Sequence, residues 1–244
     1  LDQNKKAIKI VINFFIKQYY KLIIVLTIAK VSSVMNRSIS NLLKLAFDVD
    51  VSHSQCRTDI INMVGFNYIR TPASQYVREL VLSGRIGEII WFRGEHTEDF
   101  FADPKEPASW RGRGQANGTM GDLAPHMINA ARRLVGPIKS LIASVETVYG
   151  KRPSGKVDND DQAQIMCRFQ NGAQGHLFFS RVATGRKMGY AYEIHGTKGA
   201  IRFDQEDQNS IELYLMEGPE AERGFRKILT GPAHPDYSPF CQGP

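Results

Sequence analysis

The stretch Asp161–Arg181, DQAQIMCRFQNGAQGHLFFSR, predicts the class of fold. Two runs with alternating apolar side chains, Asp161–Phe169 and Ala173–Arg181, flank the pair Asn171–Gly172. Asn-Gly between two such runs is a strong signal for a tight hairpin turn. We therefore expect two neighbouring antiparallel strands here.

The sequence on either side extends this hairpin into a larger sheet. Short runs rich in β-branched and aromatic residues are separated by turn residues, of which Thr197–Gly199 is one example. Many strands joined by short turns indicate a largely antiparallel sheet. The predicted strands outside the hairpin are Ile60–Arg70, Glu88–His96, Lys139–Val148, Gly189–His195, Ala200–Asp204 and Ser210–Leu215.

Two segments upstream of most of these strands predict helices. Ala73–Ser83 has apolar residues at helical spacing and is followed by Gly84, a typical helix C-terminal residue. Gly121–Val135 is the second helix, and Asp99–Asn117 is a loop long enough to be functional or to cover a site. The predicted fold class is α+β, with a large open, mostly antiparallel sheet and helices on one face.

The first 64 residues differ in composition from the rest of the 244-residue chain. They contain no Gly, no Pro and no Glu, whereas all 21 Gly and all 11 Pro lie from Gly65 onward. This excludes a glycine-rich phosphate loop from the segment. Its longest uncharged apolar run, Leu22–Ala29, is far shorter than the about 20 residues of a membrane-spanning helix. We therefore predict an atypical basic segment over 1–62, a folded domain over 63–244, and no membrane partner.

The net charge of +6 is concentrated in the first segment. Residues 1–64 carry nine Lys and Arg against four Asp, and the rest of the chain is close to neutral. We therefore expect no nucleic-acid partner for the main domain. Cys56, Cys167 and Cys241 show neither disulfide nor zinc spacing, so no metal site is predicted and a cytoplasmic location is favoured.

The segment Asn117–Gly136, NGTMGDLAPHMINAARRLVG, holds the side chains best suited to chemistry. Asp122, His126 and Asn129 are spaced i, i+4 and i+7, which places them on one face of a helix. An Asp beside a His fixes its tautomer and raises its basicity, as a general base requires. The alternative is structural: Asp122 is then the helix N-cap, Pro125 lies in the first turn, and His126 is a partly buried helix residue.

Three further polar segments each have a functional and a structural interpretation. His96–Asp99 ends a predicted strand, where acids bind substrate hydroxyls or cap a helix, and its H-x-E spacing lacks the P-C-x-x-C of zinc deaminases. Gly112–Gly118 contains G-x-G, but it follows a loop rather than a strand, which favours a mobile turn over a dinucleotide site. Thr184–Lys187 either contacts an anionic group or forms a solvated turn.

Four runs from Met63 onward are typical of one enzyme family. They are MVGFNYIRTPASQYVRELVLSGRIGEIIWFRGEH, ADPKEPASWR, NGTMGDLAPHMINAARRLVGPI and GYAYEIHGTKGAIRFD. The strongest element is G-D-x-x-x-H, from Gly121 to His126. Through these runs the chain resembles the Gfo/Idh/MocA family of NAD(P)-dependent sugar and polyol dehydrogenases, and its inositol-type members most. The resemblance implies a C-terminal substrate and subunit-contact domain that follows an N-terminal Rossmann domain.

The resemblance also implies roles for individual residues. His126 is expected to be the base that acts on the substrate hydroxyl, and Asp122 its orienter or a ligand of a hydroxyl. NAD or NADP is the implied cofactor, but residues 1–64 contain neither the glycine-rich loop nor the E-K-P tripeptide of the family's Rossmann domain. That domain is therefore expected to be missing or degenerate. The residues expected to contact substrate are Asn129, Tyr68, Arg70, Trp110, Arg111 and, from its place at a strand end, Asp99.

Two classes of function follow from the sequence. The first is a dehydrogenase that transfers hydride between a sugar or polyol hydroxyl and NAD(P). The second is a non-catalytic domain that binds substrate and oligomerises but lacks its cofactor site. In both, the expected partners are a small sugar or polyol and a second copy of the chain, bound through the uncovered face of the sheet.

Overall fold

The computed structural model describes residues 64–114 and 117–240, so the predicted segment 1–62 lies outside the described residues. The helices are α1 (Pro72–Leu82), α2 (Thr119–Asp122), α3 (Ala124–Leu134) and α4 (Tyr237–Phe240). The strands are β1 (Ile89–Thr97), β2 (Ile138–Glu146), β3 (Lys151–Arg152), β4 (Gly155–Lys156), β5 (Gln162–Phe169), β6 (Gln174–Ser180), β7 (Gly189–Gly196), β8 (Gly199–Asp204), β9 (Ser210–Leu215) and β10 (Arg226–Leu229).

Eight of these strands form one sheet in the order β10-β9-β8-β7-β1-β6-β5-β2, and β3 pairs with β4 separately. Neighbours in the large sheet are antiparallel except β1 and β6, which are parallel. The predicted hairpin is present, because β5 and β6 pair across Asn171–Gly172 and Gly172 has the positive φ of 93° that such a turn uses. The predicted α+β class with a mostly antiparallel sheet is confirmed.

One face of the large sheet forms the core. Helix α3 packs on it through Met127, whose sulfur lies 2.6 Å from where a Cβ on Gly94 would be. Helix α1 packs on the same face, because its Ser74 lines one small cavity together with Ala130 of α3 and Tyr192, which is paired with Gly94 across β7 and β1. Fully buried apolar side chains of this face include Phe92, Phe169, Leu177, Ile194 and Ile201.

Helix α1 agrees with its prediction to within one residue at each end. The Thr71 side chain caps the first turn by accepting a hydrogen bond from the Ser74 amide, and Pro72 occupies the first position, where its missing N–H is not needed. The helix ends before Gly84, whose φ of 69° is a left-handed conformation that glycine adopts without strain.

The helix predicted over Gly121–Val135 is in fact two helices. Helix α2 ends at Asp122 and α3 begins at Ala124, with Leu123 between them. Pro125 is the cause: it has no amide hydrogen to donate to the carbonyl four residues earlier, and its ring clashes with that carbonyl. The first turn of a new helix tolerates Pro125, so the chain restarts there.

The strand predicted over Ile60–Arg70 is wrong over its described part. Residues 64–67 are irregular and Tyr68–Arg70 form one 3-10 turn. The aromatic residues that suggested a strand instead pack against a helix, since the Phe66 and Tyr68 rings both contact the His126 ring. In the described part of the chain, no helix is both long enough and apolar enough to cross a membrane.

The opposite, outer face of the sheet carries mixed polar and apolar side chains. Residues paired from strand to strand form one row across this face. The row is charged at its β10 end and apolar at its β2 end, where Met166 and Ile142 are 68% and 78% exposed. Its charged half is joined by ion pairs of Glu193 with Arg93 and Arg202. In sheet order the row is Lys227, Glu212, Arg202, Glu193, Arg93, His176, Met166 and Ile142.

Candidate active site

The site is centred on His126, in the first turns of α3. Its half-buried ring is surrounded by other rings: the Tyr68 centroid lies 4.8 Å away, and those of Phe66 and His96 each lie 5.7 Å away. Tyr190, on β7, lies behind them and contacts both Tyr68 and His96. Four separate parts of the chain thus form one cluster, which we call the histidine cluster: Phe66, Tyr68, His96, His126 and Tyr190.

The surroundings of His126 favour the neutral imidazole. Burial lowers its pKa most, and the neighbouring His96 lowers it further, whereas Asp122 and Glu98 act in the opposite direction. Its Nδ1 atom is buried and has no hydrogen-bond partner among the described residues. A neutral imidazole with a lowered pKa can accept a proton from a hydroxyl group that enters the site.

Asp122 reaches the site from the end of α2. Its carboxylate accepts a hydrogen bond of 2.9 Å from Nε of Arg111, and it influences His126 and Tyr68 through its charge, since it raises the pKa of both. The interpretation of Asp122 as the N-cap of the histidine's helix is wrong, because Leu123 takes that position and no side chain caps it. The break at Leu123 places Asp122 and His126 on different helices, although Leu123 itself keeps helical φ and ψ angles of −88° and −44°.

Three more predicted substrate contacts lie near this pair. Arg111 stacks its guanidinium over the Trp110 ring at 4.4 Å, and Trp110 is 57% exposed. Asn129 lies one turn after His126 on α3, and its side-chain oxygen is buried with no hydrogen-bond partner in the described part of the chain. A buried polar atom without a partner is uncommon and calls for a specific explanation.

Buried polar residues hold the loop that carries Trp110 and Arg111. Arg181 is 1% exposed; it pairs with Asp161 at 2.9 Å and donates a hydrogen bond of 2.6 Å to the Arg111 carbonyl. Asn159 donates to the same carbonyl at 2.6 Å. These residues were not predicted; the available signal was an Arg and an Asp at the ends of otherwise apolar strands, which sequence alone does not distinguish from solvated positions.

Two predicted substrate contacts are engaged elsewhere. Arg70 pairs with Asp236 at 2.8 Å, and both side chains are exposed. Asp99 pairs with Lys187 at 2.7 Å, which is the largest of the influences that lower the pKa of its carboxyl group. Arg186 of the same turn pairs with Glu95 at 2.6 Å and with Glu206 at 3.0 Å, so both charged residues of the turn Thr184–Lys187 are bound to carboxylates of this chain.

The polar cluster His96–Asp99 contributes Glu98 rather than Asp99 to the site. His96 is 1% exposed, its Nε2 lies 3.2 Å from Oε1 of Glu98, and Glu98 also raises the pKa of Tyr68. Within residues 64–114 and 117–240, no group of three or more His, Cys, Asp or Glu side chains is arranged to hold a metal ion.

The Gly112–Gly118 loop does not fit a pyrophosphate. The amides at the start of α2 are already bound, because Thr119 donates to the Asp160 carbonyl and Met120 donates to the Asp160 carboxylate at 2.7 Å. Gly118 is packed against the same carboxylate, where a Cβ would lie 2.1 Å from Oδ1. The carboxylate therefore occupies the place that an anion would take, and the dinucleotide interpretation of this loop is not supported.

Comparisons with known proteins agree on one family. The family model for the GFO/IDH/MocA C-terminal domain matches residues 74–202. A levoglucosan dehydrogenase from Pseudarthrobacter phenanthrenivorans is 38% identical over 197 residues, 72% of this chain and 50% of that protein. An inositol 2-dehydrogenase from Rhizobium meliloti is 28% identical over 160 residues, 64% of this chain and 45% of that protein.

A solved structure shows the same fold. Levoglucosan dehydrogenase in complex with NADH and levoglucosan has a TM-score of 0.69 and 42% identity, covering 72% of this chain and 49% of that chain. The chain thus spans about half the length of the relatives that it matches. The family-model match over residues 74–202 and the relative of 38% identity over 72% of the chain show that the chain belongs to the Gfo/Idh/MocA oxidoreductase family and carries the family's C-terminal domain.

Proposed function

We propose that this domain binds a sugar or polyol and accepts the proton of the hydroxyl group that is oxidised, as the substrate half of an NAD(P)-dependent dehydrogenase. One observation carries the proposal: the imidazole of His126, kept neutral by burial and by His96, lies beside the ion pair of Asp122 and Arg111. Relatives named as levoglucosan and inositol dehydrogenases support the substrate class.

Each residue of the site has a distinct proposed role. His126 is the base, and Asp122 stabilises the imidazolium that forms when the proton arrives. The Arg111 guanidinium donates hydrogen bonds to sugar hydroxyls, and the amide of Asn129 can both donate and accept. Tyr68 and Trp110 present ring surfaces to the apolar side of the sugar. The predicted contacts of Arg70 and Asp99 with substrate require their ion pairs with Asp236 and Lys187 to open.

We assign no cofactor site to the described residues. Hydride transfer requires an acceptor, NAD or NADP in this family, and the loop Gly112–Gly118 does not fit its pyrophosphate. We therefore assign sugar binding and proton acceptance to residues 63–244, and we propose that residues 1–62 are a remnant or replacement of the Rossmann domain. The alternative function is a substrate-binding domain without catalysis. It would use the same sugar site and would differ only in lacking a hydride acceptor.

We also propose a cytoplasmic location for the protein.

A second copy of the chain is the proposed partner of the outer face of the sheet. Met166 and Ile142 form an exposed apolar end of this face. The neighbouring charges on β1, β7 and β8 are of both signs, so the same charges on a second copy can pair with them. A two-fold interface brings the same patch of both copies together.

Sugar binding tests the proposal directly. Levoglucosan and inositol are titrated into the full chain by calorimetry, first alone and then with NADH present. We expect binding by the wild type and a loss of about tenfold or more in affinity for Asn129→Ala, since the buried sugar hydroxyl would lose its hydrogen-bond partner. Ser144→Ala, on the outer face, is the matched control. If neither sugar binds, or if both variants bind as the wild type does, the site is assigned wrongly.

A further inference from the structure

The side chain of His96 is held at both ring nitrogens. Its Nδ1 lies 3.0 Å from the carbonyl oxygen of Leu123, and its Nε2 lies 3.2 Å from Oε1 of Glu98. The ring is 1% exposed, whereas the Glu98 side chain is 17% exposed. Both contacts are therefore shielded from water, and each must be satisfied by the atoms present.

The two partners fix where the protons are. A carbonyl oxygen can only accept, so Nδ1 must carry a hydrogen. In a neutral ring with hydrogen on Nδ1, Nε2 has a lone pair, and this lone pair would face a carboxylate oxygen at hydrogen-bond distance. The contact with Glu98 is favourable only if a proton lies between them, and the imidazole rather than the carboxyl group holds this proton because imidazole is the stronger base.

We propose that His96 carries a proton on both nitrogens, with Glu98 as its counter-ion, and that the pair acts as a positioning unit beneath His126. The pair touches neither of the proposed reacting atoms. It acts on His126 in two ways, mechanically and electrostatically. Its importance for catalysis rests on the proposed function of His126 as the base.

The mechanical effect acts on the break between α2 and α3. Leu123, whose carbonyl binds His96, separates Asp122 from the helix of His126. The hydrogen bond therefore fixes the relative position of the carboxylate and the imidazole on two short helices that no side-chain N-cap stabilises.

The electrostatic effect acts on the charge of His126. The two imidazole rings lie 5.7 Å apart at 77°, so a second proton on His126 would put two cations side by side in a partly buried site. The other groups that face His126 are the Phe66 and Tyr68 rings and the carboxylates of Asp122 and Glu98, both of which favour its charged form. His96 opposes them, and together with burial it prevails, because the pKa of His126 is lowered.

The test reads proton positions in the full chain by NMR with ¹⁵N-labelled histidine. In the wild type we expect both nitrogens of His96 to be protonated at a pH where His126 is neutral. His96→Asn keeps a donor for the Leu123 carbonyl but removes the charge, so the titration midpoint of His126 should move upward. Glu98→Gln is the second variant: it should leave His96 neutral and also raise the midpoint of His126, since the loss of the His96 charge outweighs the loss of the Glu98 charge.

A matched control lies on the outer face. His195 and Glu193 form a second His–Glu pair on one strand at the same spacing, with Nε2 3.3 Å from Oε2. Glu193→Gln should leave the midpoint of His126 unchanged. A neutral His96 in the wild type, or an unchanged midpoint in both His96→Asn and Glu98→Gln, would overturn the proposal. Because these readouts need neither sugar nor turnover, they fail independently of the sugar-binding test.

Discussion

At the scale of single residues, the site depends on opposing influences on one imidazole. Burial and His96 lower the pKa of His126, while Asp122 and Glu98 raise it by less. The result is a ring that stays neutral yet lies beside a carboxylate that can stabilise its protonated form. For Tyr68 all the influences act in one direction: burial and the same two carboxylates raise its pKa and keep its hydroxyl group protonated.

The lowered pKa of His126 makes stability depend on pH with a definite sign. In the unfolded chain His126 takes up its proton near the ordinary value of 6.5, whereas in the folded chain it does so only at lower pH. The unfolded state therefore binds more protons as the pH falls through 6.5, and the free energy of unfolding decreases. We expect urea unfolding between about pH 7 and pH 5 to show this decrease, and His126→Gln to reduce its slope. Equal slopes for the two proteins would contradict the lowered pKa.

At the scale of elements, the site lies where two helices and the loop before them pack against buried polar side chains. The ends of α2 and α3 hold Asp122 and His126, and the loop before α2 is fixed by the carbonyl contacts of Arg181 and Asn159. The buried ion pair of Arg181 with Asp161 thus supports a loop that carries predicted substrate contacts.

Removing one member of this buried pair should be far more costly than removing an exposed one. Arg181→Met leaves Asp161 as an unpaired buried charge, and we expect a loss of about 3–5 kcal/mol in the free energy of unfolding. Arg85→Ala, which breaks the exposed pair with Glu217, should cost about 0–1 kcal/mol. Chemical unfolding of the two variants measures both values, and similar losses would show that the buried network does not support the fold.

The sequence predicted elements better than their interruptions. Strand alternation, the Asn171–Gly172 turn and the helix end at Gly84 are local signals, and the structure agrees with them. The break at Leu123 was missed because the apolar pattern of α3 continues through it, although Pro125 was a visible signal. His96 and Glu98 are two residues apart, and Asp161 and Arg181 face each other across the predicted hairpin. That His96 and Arg181 are buried depends on the segments packed over these strand ends, which local patterns do not contain.

At the scale of the whole molecule, the described domain separates two surfaces. Helices and the histidine cluster lie on the inner face of the sheet, and the outer face has exposed apolar residues at one end and paired charges at the other. A domain with this arrangement can bind a small molecule on one side and a second copy on the other without either interfering with the other.

The outer face should control the oligomeric state. Met166→Glu and Ile142→Glu place charges in its exposed apolar end, and we expect either change to convert a self-associating chain into monomers in sedimentation velocity experiments. Leu82→Glu is the control, because Leu82 is 64% exposed but lies on α1, on the other side of the sheet. A wild type that is monomeric at every concentration, or a Leu82→Glu variant that dissociates equally, would contradict this assignment.

The measurement that tests the central claim most directly is the ¹⁵N spectrum of the histidine side chains during a titration with levoglucosan or inositol. His176, on the outer face, serves as an internal reference in the same spectrum. The proposed site predicts that the ring nitrogens of His126 shift on saturation with sugar, that His176 does not shift, and that Asn129→Ala weakens the response. Saturating sugar that leaves the His126 nitrogens unchanged would contradict the claim that the histidine cluster binds the substrate hydroxyl.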